Sequence, residues 1–430
     1  MAQSSNRRTF IKTTAAAGVG FWAAGGVSAR ASRMAIDEIS FACIGVGGKG
    51  SSDSADAKDN GNVVAICDID DDTLAGAKEK FAGAAVYNDF RKMLDELGKN
   101  IDAVTVSTPD HTHAPAALMA MRMGKHCFCQ KPMTHSIYEA RLMTDVARAN
   151  NLVTQMGNQG TADSTLRKSA ALIRAGEIGN VSEVHIWTNR PVWPQGLEMP
   201  SDTPPVPNNV KWDLWLGPAK ERPYNGIYHP FKWRDWQDFG SGALGDFGCH
   251  ILDPVFTALG IRAPISIEAA NDGTTSEVWP GPETLTFEFP GTKYTVGSTI
   301  KVIWRDGGLK PPTQLAQLPA GAELPGAGSL FIGEGGVMVL PHVAGPQLYP
   351  QAKYAGFKIP DVKGSHHWHD WVDAVISGQK TTDGFEYAGP LSETVQLGNI
   401  AARLPGTKLE WNTETMAITG HDSAASMLTK

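Results

Sequence analysis

The segment from Ile39 to Asp68 constrains the fold most. An apolar run, Ile39 to Ile44, leads directly into Gly45-Val46-Gly47-Gly48-Lys49-Gly50. A polar stretch suited to a helix follows, and then a second apolar run, Val63 to Cys67, tipped by Asp68. Strand, Gly-x-Gly-x-x-Gly turn, helix and acid-tipped strand form the pattern of a dinucleotide-binding unit. The glycines have separate jobs: Gly45 makes the tight turn, Gly47 lets the backbone approach a pyrophosphate, and Gly50 lets helix and strand pack closely. Gly48 and Lys49 complete the loop. The pyrophosphate sits where the helix N-terminus presents unpaired N–H groups and the positive end of its dipole. Asp68 follows Gly45 at about the ~20-residue spacing of an acid that binds the adenosine ribose, with Ile69 beside it. Asp68 and Asp70 repel a 2′-phosphate and no arginine follows Asp68, which favours NAD over NADP.

The α/β alternation continues beyond this unit. Strands are expected at Ile101 to Ser107, His126 to Cys129 and Leu152 to Met156, with helices from about His113 to Met123 and Ser136 to Asn150. Right-handed crossovers of this kind give a doubly wound parallel sheet. Near Asn158 the composition shifts. No tryptophan lies between residues 32 and 186, whereas Trp187, Trp193, Trp212, Trp215, Trp233 and Trp236 crowd the next fifty. Alternating runs at Val181 to Trp187 and Thr284 to Phe289 predict a second, α+β domain with a large open, mostly antiparallel sheet. The expected organisation is therefore a leader over residues 1–31, a Rossmann domain over 32–158, a substrate-binding and oligomerisation domain over 159–420, and a tail over 421–430.

The leader is read from Arg7-Arg8-Thr9-Phe10-Ile11-Lys12, a twin arginine ahead of a short, weakly apolar run, closed by Ala29-Arg30-Ala31. This resembles a twin-arginine export signal, which implies passage through that export machinery to the periplasm. The run is too short and Gly-rich to span a bilayer, so the mature chain is expected to be off the membrane. Its removal takes four basic residues and no acid, making a chain with 45 acidic against 38 basic residues still more acidic. That balance excludes a nucleic-acid binder. Five scattered cysteines are too few for a disulfide scaffold and lack the spacing of structural zinc. His366-His367-Trp368-His369-Asp370 places His366 and Asp370 four apart, but with no further ligand at a diagnostic spacing no metal is assigned.

Three more segments gain meaning together: Thr108-Pro109-Asp110-His111-Thr112-His113, Gln130-Lys131-Pro132, and Gly245-Asp246-Phe247-Gly248-Cys249-His250. With the glycine loop, they resemble the glucose-fructose oxidoreductase, inositol dehydrogenase and rhizopine-catabolism (Gfo/Idh/MocA) family over nearly the whole mature chain. The resemblance implies a lysine at Lys131 near the nicotinamide, Asp246 and His250 facing the substrate, and an open sheet joining a homodimer or homotetramer. Thr108, Pro109, His111, His113, Gln130 and Asn158 fall on the cofactor side. Gln159, Trp193, Tyr228, His229, Arg234 and Trp236 fall on the substrate side. Where the family usually has Glu-Lys-Pro, this chain has Gln130-Lys131-Pro132. A neutral amide beside Lys131 is expected to leave that lysine a stronger candidate base than a glutamate would.

The chemistry fits these positions. Oxidising a secondary alcohol requires hydride to leave carbon for the nicotinamide while a base takes the hydroxyl proton. Lys131, at the carboxyl end of a strand, points into the crevice where such sheets bind ligands; Asp246 and His250, i and i+4, share a helix face, so that the acid can orient the imidazole or both can grip neighbouring hydroxyls. Trp193 and Trp236 are candidates to offer flat faces to a sugar. An exported enzyme lacks a free NAD pool, so its cofactor must stay bound and be regenerated in place. A sugar, polyol or glycoside dehydrogenase meets that need if a second carbonyl compound takes the hydride back. So does a redox-neutral NAD-dependent glycosidase working by transient oxidation and elimination, with His250 or Lys131 as base and Tyr228 and His229 as acids. A non-catalytic sugar-binding protein is the third reading.

Overall fold

A computed structural model describes residues 38–419 and 421–429; the twin-arginine segment lies outside the described residues. The first half builds a six-stranded parallel sheet in the order β3-β2-β1-β4-β5-β6. Its strands are β1 (Ser40–Ile44), β2 (Asn62–Cys67), β3 (Ala85–Tyr87), β4 (Ala103–Val106), β5 (His126–Cys129) and β6 (Thr154–Met156). They alternate with α1 (Gly48–Asn60), α2 (Asp71–Lys80), α3 (Phe90–Leu97), α4 (Asp110–Arg122) and α5 (Ile137–Ala149). The order reverses between β1 and β4, which opens the crevice in which such sheets bind dinucleotides.

After β6 and α6 (Ser164–Arg174), β7 (Val181–Trp187) enters a nine-stranded sheet of order β13-β12-β11-β7-β10-β9-β8-β14-β15. Only β7 and β10 (Thr299–Arg305) pair in parallel; β8 (Ser266–Asn271), β9 (Glu283–Pro290), β11 (Gly328–Gly333), β12 (Val337–Pro341), β13 (Gln347–Tyr349), β14 (Leu409–Asn412) and β15 (Ala417–Thr419) join antiparallel neighbours. Period-two burial is clearest along β9, where Leu285, Phe287 and Phe289 face the core and Thr284, Thr286 and Glu288 face away. The core side is covered by α8 (Gly242–Leu259), in one hydrophobic cluster with residues of α10 (Phe385–Ala402).

Two features tie the halves together. First, α9 (His367–Ser377) follows strands β7 to β13 of the second sheet in sequence yet packs on the first: Trp368 stacks on Phe128 of β5 at 4.4 Å, and Trp371 lies 5.7 Å from Phe41 of β1. Second, the Trp-rich loop between β7 and α8, which holds α7 (Trp212–Leu216), reaches back to the end of β2. There Lys211 N donates to Ile69 O (2.9 Å), Asp71 N donates to Asn209 O (2.8 Å) and Asn209 Nδ2 donates to Asp70 Oδ1 (3.0 Å). All five cysteines are buried and free. No helix of the described residues is long and apolar enough to cross a membrane.

Candidate active site

The glycine loop has the shape a dinucleotide needs. Gly45 has φ +78°, and a Cβ there would lie 2.4 Å from Ser107 O; a Cβ on Gly50 would lie 2.0 Å from Gly45 O. Both positions are closed to any side chain by β4 and by the loop itself. At Gly48 (φ +48°) a Cβ meets nothing within 4 Å, so the loop's outer side is open. Helix α1 starts at Gly47 without a side-chain cap, leaving its first N–H groups to an anion. Asp68 folds toward the loop, its carboxylate accepting from Val46 N (3.0 Å) and Asp70 N (3.1 Å). Burial raises its pKa, against the lowering effect of these backbone hydrogen bonds. Loop, helix start and acid thus fit the phosphates and adenosine ribose of NAD.

Beyond this cradle, the two domains meet at Lys131. It follows β5, and its Nζ donates to Asp246 O (2.5 Å) and Asp246 Oδ1 (3.2 Å) in the first turns of α8. Two arginines flank the same carboxylate: Arg190, just past β7, with Nε 3.7 Å from Oδ2, and Arg234, from the Trp-rich loop, with Nε 3.6 Å from Oδ1. Burial pushes the Asp246 pKa up, but the charges of Lys131, Arg234 and Arg190 and the Lys131 hydrogen bond hold it below the usual range. His250, one turn further on, contacts Phe247 (5.7 Å) and His342 (5.8 Å). Burial, then the charge of Lys131, drives its pKa well below the ordinary histidine value, so the ring is neutral and able to accept a proton. Asp110, the first residue of α4, lies beside this group; burial lifts its carboxyl to about 7 against the opposing charges of Arg234 and Lys131.

The structure brings Lys131, Asp246, His250 and Arg234 together. Trp193 borders them, its ring 5.7 Å from the Arg234 guanidinium. Other candidates go elsewhere. Tyr228 and Trp236 are 2% and 0% exposed and pack edge-to-face at 4.7 Å in an aromatic core with Trp212, Trp215 and Phe239; neither presents a face to a ligand, because the loop needs its own core to hold its shape. His229 packs against Trp215 and feels the charge of Asp70, on the β2 side of the cleft. His111 lies between Phe239 O (3.2 Å) and Trp215 O (2.9 Å), and His113 between Pro132 O (2.9 Å) and Thr108 O (2.7 Å). Both rings are buried with both nitrogens directed at main-chain carbonyls, so they brace the loops rather than touch cofactor.

Gln130 also departs from expectation. Its amide turns away from Lys131 and donates to Asp53 Oδ2 (2.8 Å), an oxygen that also accepts from Ser107 Oγ (2.7 Å). Lys49 Nζ pairs with Asp53 Oδ1 (2.6 Å), and Gln159, in the amide orientation that satisfies both its ends, accepts from Lys49 Nζ at 3.3 Å. Gln130, Lys49 and Gln159 therefore share one network under the glycine loop, centred on a buried Asp53. Asn158 is fully buried, donating to Asp253 Oδ2 (3.0 Å). Thr108 packs its methyl 3.1 Å from the Cβ position of Gly45, Pro109 caps α4, and Ile69 carries the main-chain bond to the Trp-rich loop.

Sequence reasoning missed Arg190, His342, Asp53 and a role for Asp110. Arg190 and His342 lie just beyond the ends of β7 and β12, where ligand-facing residues are common, but one arginine and one histidine among many carry no pattern. Asp110 stood in a quoted motif, but its burial depends on α8 and the Trp-rich loop.

Comparison with known proteins agrees with this architecture. Residues 39–158 match the model of the Gfo/Idh/MocA oxidoreductase family's NAD-binding Rossmann fold, and residues 179–287 match that of its C-terminal α/β domain. The chain is 25% identical over 189 residues to levoglucosan dehydrogenase of Pseudarthrobacter phenanthrenivorans (44% of this chain, 40% of that enzyme). It is 26% identical over 199 residues to glucose-6-phosphate 3-dehydrogenase of Bacillus subtilis (46% of each). These matches span less than half of either relative. Among solved structures, aldose-aldose oxidoreductase from Caulobacter crescentus superposes with TM-score 0.59 at 16% identity, covering 87% of this chain and 100% of that one. Glycine cradle, acid-tipped second strand, lysine after the fifth and mixed sheet behind them place the chain in the Gfo/Idh/MocA family of NAD-binding oxidoreductases.

Proposed function

We propose that this protein is an NAD-dependent oxidoreductase that oxidises a secondary hydroxyl of a sugar, polyol or glycoside and keeps its NAD tightly bound between turnovers. The observation that carries this reading is the Lys131–Asp246 contact, which brings the end of β5 and the start of α8 together with neutral His250 in one cleft. The names of the relatives, levoglucosan dehydrogenase and glucose-6-phosphate 3-dehydrogenase, support a carbohydrate as substrate.

When bound, NAD supplies the hydride acceptor; everything else falls to the chain. Gly45, Gly47 and Gly50 with the α1 N-terminus hold its phosphates, and Asp68 its ribose. Two of the three Lys131 N–H donors are held by Asp246, and the third is left for the oxygen that gains negative charge as the alcohol loses its proton. His250 is the proton acceptor by position, one turn along α8 from Asp246, with an imidazole that burial and the charge of Lys131 hold neutral. Asp246 fixes the lysine. The bonds from Asn209 and Lys211 to the Asp70 side of the cleft support slow release of cofactor.

Export fits the same reading: the twin-arginine route carries folded proteins, so NAD can be taken up in the cytoplasm and kept in the periplasm. A homodimer or homotetramer through the sheet face opposite α8 and α10 is part of the proposal; Lys301 and Ile303 alternate away from the core there.

The deciding experiment uses mature protein purified without added cofactor. Nucleotide released on denaturation is identified, and the 340 nm band is followed on mixing with neutral and anionic sugars, polyols and nitrophenyl glycosides. Stoichiometric NAD that a sugar reduces is the expected result. Steady nitrophenol release with no lasting 340 nm signal would replace this reading with the redox-neutral glycosidase. An empty site would remove tight cofactor retention from it.

A further inference from the structure

We infer that the substrate taken at Lys131, Asp246 and His250 is an anionic carbohydrate, carrying a carboxylate or phosphate gripped by Arg190 and Arg234. The inference rests on the proposed function and narrows its substrate class.

The argument starts from donors without acceptors. Arg190 Nε is buried and has no hydrogen-bond partner, and its guanidinium makes no hydrogen bond among the described residues; its contacts are the Phe247 ring at 5.2 Å and the field of Asp246. Arg234 commits one N–H, to Phe231 O at 3.0 Å, and is held among Trp193, Phe231 and Trp233, with its guanidinium 4.2 Å from the Trp233 ring centroid. Pairing with Asp246 engages the charge of these arginines but not their hydrogen bonds, because their nearest approaches to that carboxylate, 3.7 and 3.6 Å, exceed hydrogen-bond reach, while Lys131 donates to it at 3.2 Å. The ring contacts restrict each guanidinium without using its N–H donors.

The balance of charge points the same way. Lys131, Arg190 and Arg234 face one carboxylate held ionised, Asp246. Asp110, the other acid here, is only partly ionised near pH 7 because burial opposes its charge. His250 and His342 add no positive charge, and His366 to Asp370 sit on α9, outside this cluster. A neutral sugar's hydroxyl oxygens can accept from these donors but leave the excess positive charge of the two half-buried guanidinium groups uncompensated. An oxyanion supplies acceptor and charge together, since paired N–H groups match a carboxylate or phosphate edge.

The test uses the NAD-loaded full-length mature protein and matched sugars: glucose, glucuronate and glucose 6-phosphate, then galactose and galacturonate. Two readouts are taken, kcat/KM at 340 nm and a titration of tryptophan fluorescence, which reports on Trp193 and Trp233 beside Arg234 whether or not hydride moves. An anionic member preferred at least tenfold over its neutral partner is expected, with uronate against phosphate showing which oxyanion fits. Arg190→Gln and Arg234→Gln should each lower the ratio of anionic to neutral kcat/KM by about 10- to 100-fold, over and above any loss common to both sugars through Asp246. Arg190→Lys, which keeps charge but loses the fork, should lie between and guards against a misfolded glutamine variant. Neutral sugars used as well as charged ones, or arginine variants that slow both alike, would overturn the inference. If no sugar of either kind reduces the NAD, the proposed oxidoreductase reading fails instead, and the fluorescence titration alone decides anion binding: saturation by charged but not neutral sugars upholds it, and equal responses refute it.

Discussion

Asp110 shows how one buried acid sets a pH dependence. Its carboxyl is lifted to about 7, first by burial, against the pull of Arg234 and Lys131, whereas an aspartate in an unfolded chain titrates near ~3.9. Between these values the folded protein holds a proton that the unfolded chain has released, so stability falls as pH rises from about 4 to 7. Asp110→Asn is expected to flatten that fall, measured as the urea midpoint at pH 5 and pH 8; equal slopes for wild type and variant would show that Asp110 is not the source. Lys131→Met should lower sugar-dependent NAD reduction by about 10²- to 10⁴-fold while leaving the copurified NAD in place, read by single-turnover absorbance and by nucleotide content. Gln130→Glu sets a second carboxylate against buried Asp53, where an amide now donates at 2.8 Å. The expected cost is about 2–4 kcal/mol in denaturant unfolding. At this scale the sequence was informative where chemistry and spacing combine, as at Lys131, Asp246 and His250. It was silent on direction: Gln130 and Lys131 are neighbours whose side chains leave toward different partners, and no one-dimensional pattern records that.

Among the elements, β1, β2, β4, β5 and β6 with α1, α4 and α5 were readable to within a few residues, because apolar runs and Gly turns mark their ends, whereas α2, the short β3 and α3, between Asp68 and Ile101, carried no such pattern. The strand His126–Cys129 and the run Val181–Trp187 fall where periodicity puts them. The Trp-rich loop was not readable in the same way. Its indoles signalled burial, but whether an indole faces ligand or its own neighbours depends on how the loop folds back, and Trp236 and Tyr228 turned inward. What the loop does with that rigidity is reach the end of β2. A double substitution, Asn209→Ala with Lys211→Ala, removes the Asn209 bond to Asp70 and the Lys211–Asp71 ion pair. NAD dissociation should then speed up by roughly tenfold at most, the part-buried Asn209–Asp70 bond carrying most of the effect and the exposed Lys211–Asp71 pair little. Release would be followed by dialysis against an NAD-free buffer; an unchanged rate would separate the loop from cofactor retention.

At the scale of the whole molecule, the linear domain order hides how the chain closes on itself. Helix α9 covers the β1–β5 region with Trp368 and Trp371, while α10 lies against α5 with Glu393 accepting two hydrogen bonds from Arg141 (2.8 and 2.9 Å). Trp371→Ala removes a fully buried indole from that seam and should cost about 3–5 kcal/mol. Loss of bound NAD should accompany it, seen as a lower melting temperature and reduced nucleotide content in the same sample. The wall behind the glycine cradle is thus made of residues translated long after the cradle itself. On the ribosome the nucleotide loop emerges early, but the aromatic backing that steadies β1 and β5 arrives only after β13 has been made. Cofactor capture is therefore tied to the synthesis of α9, and a chain terminated before it carries the glycine motif without the wall behind it.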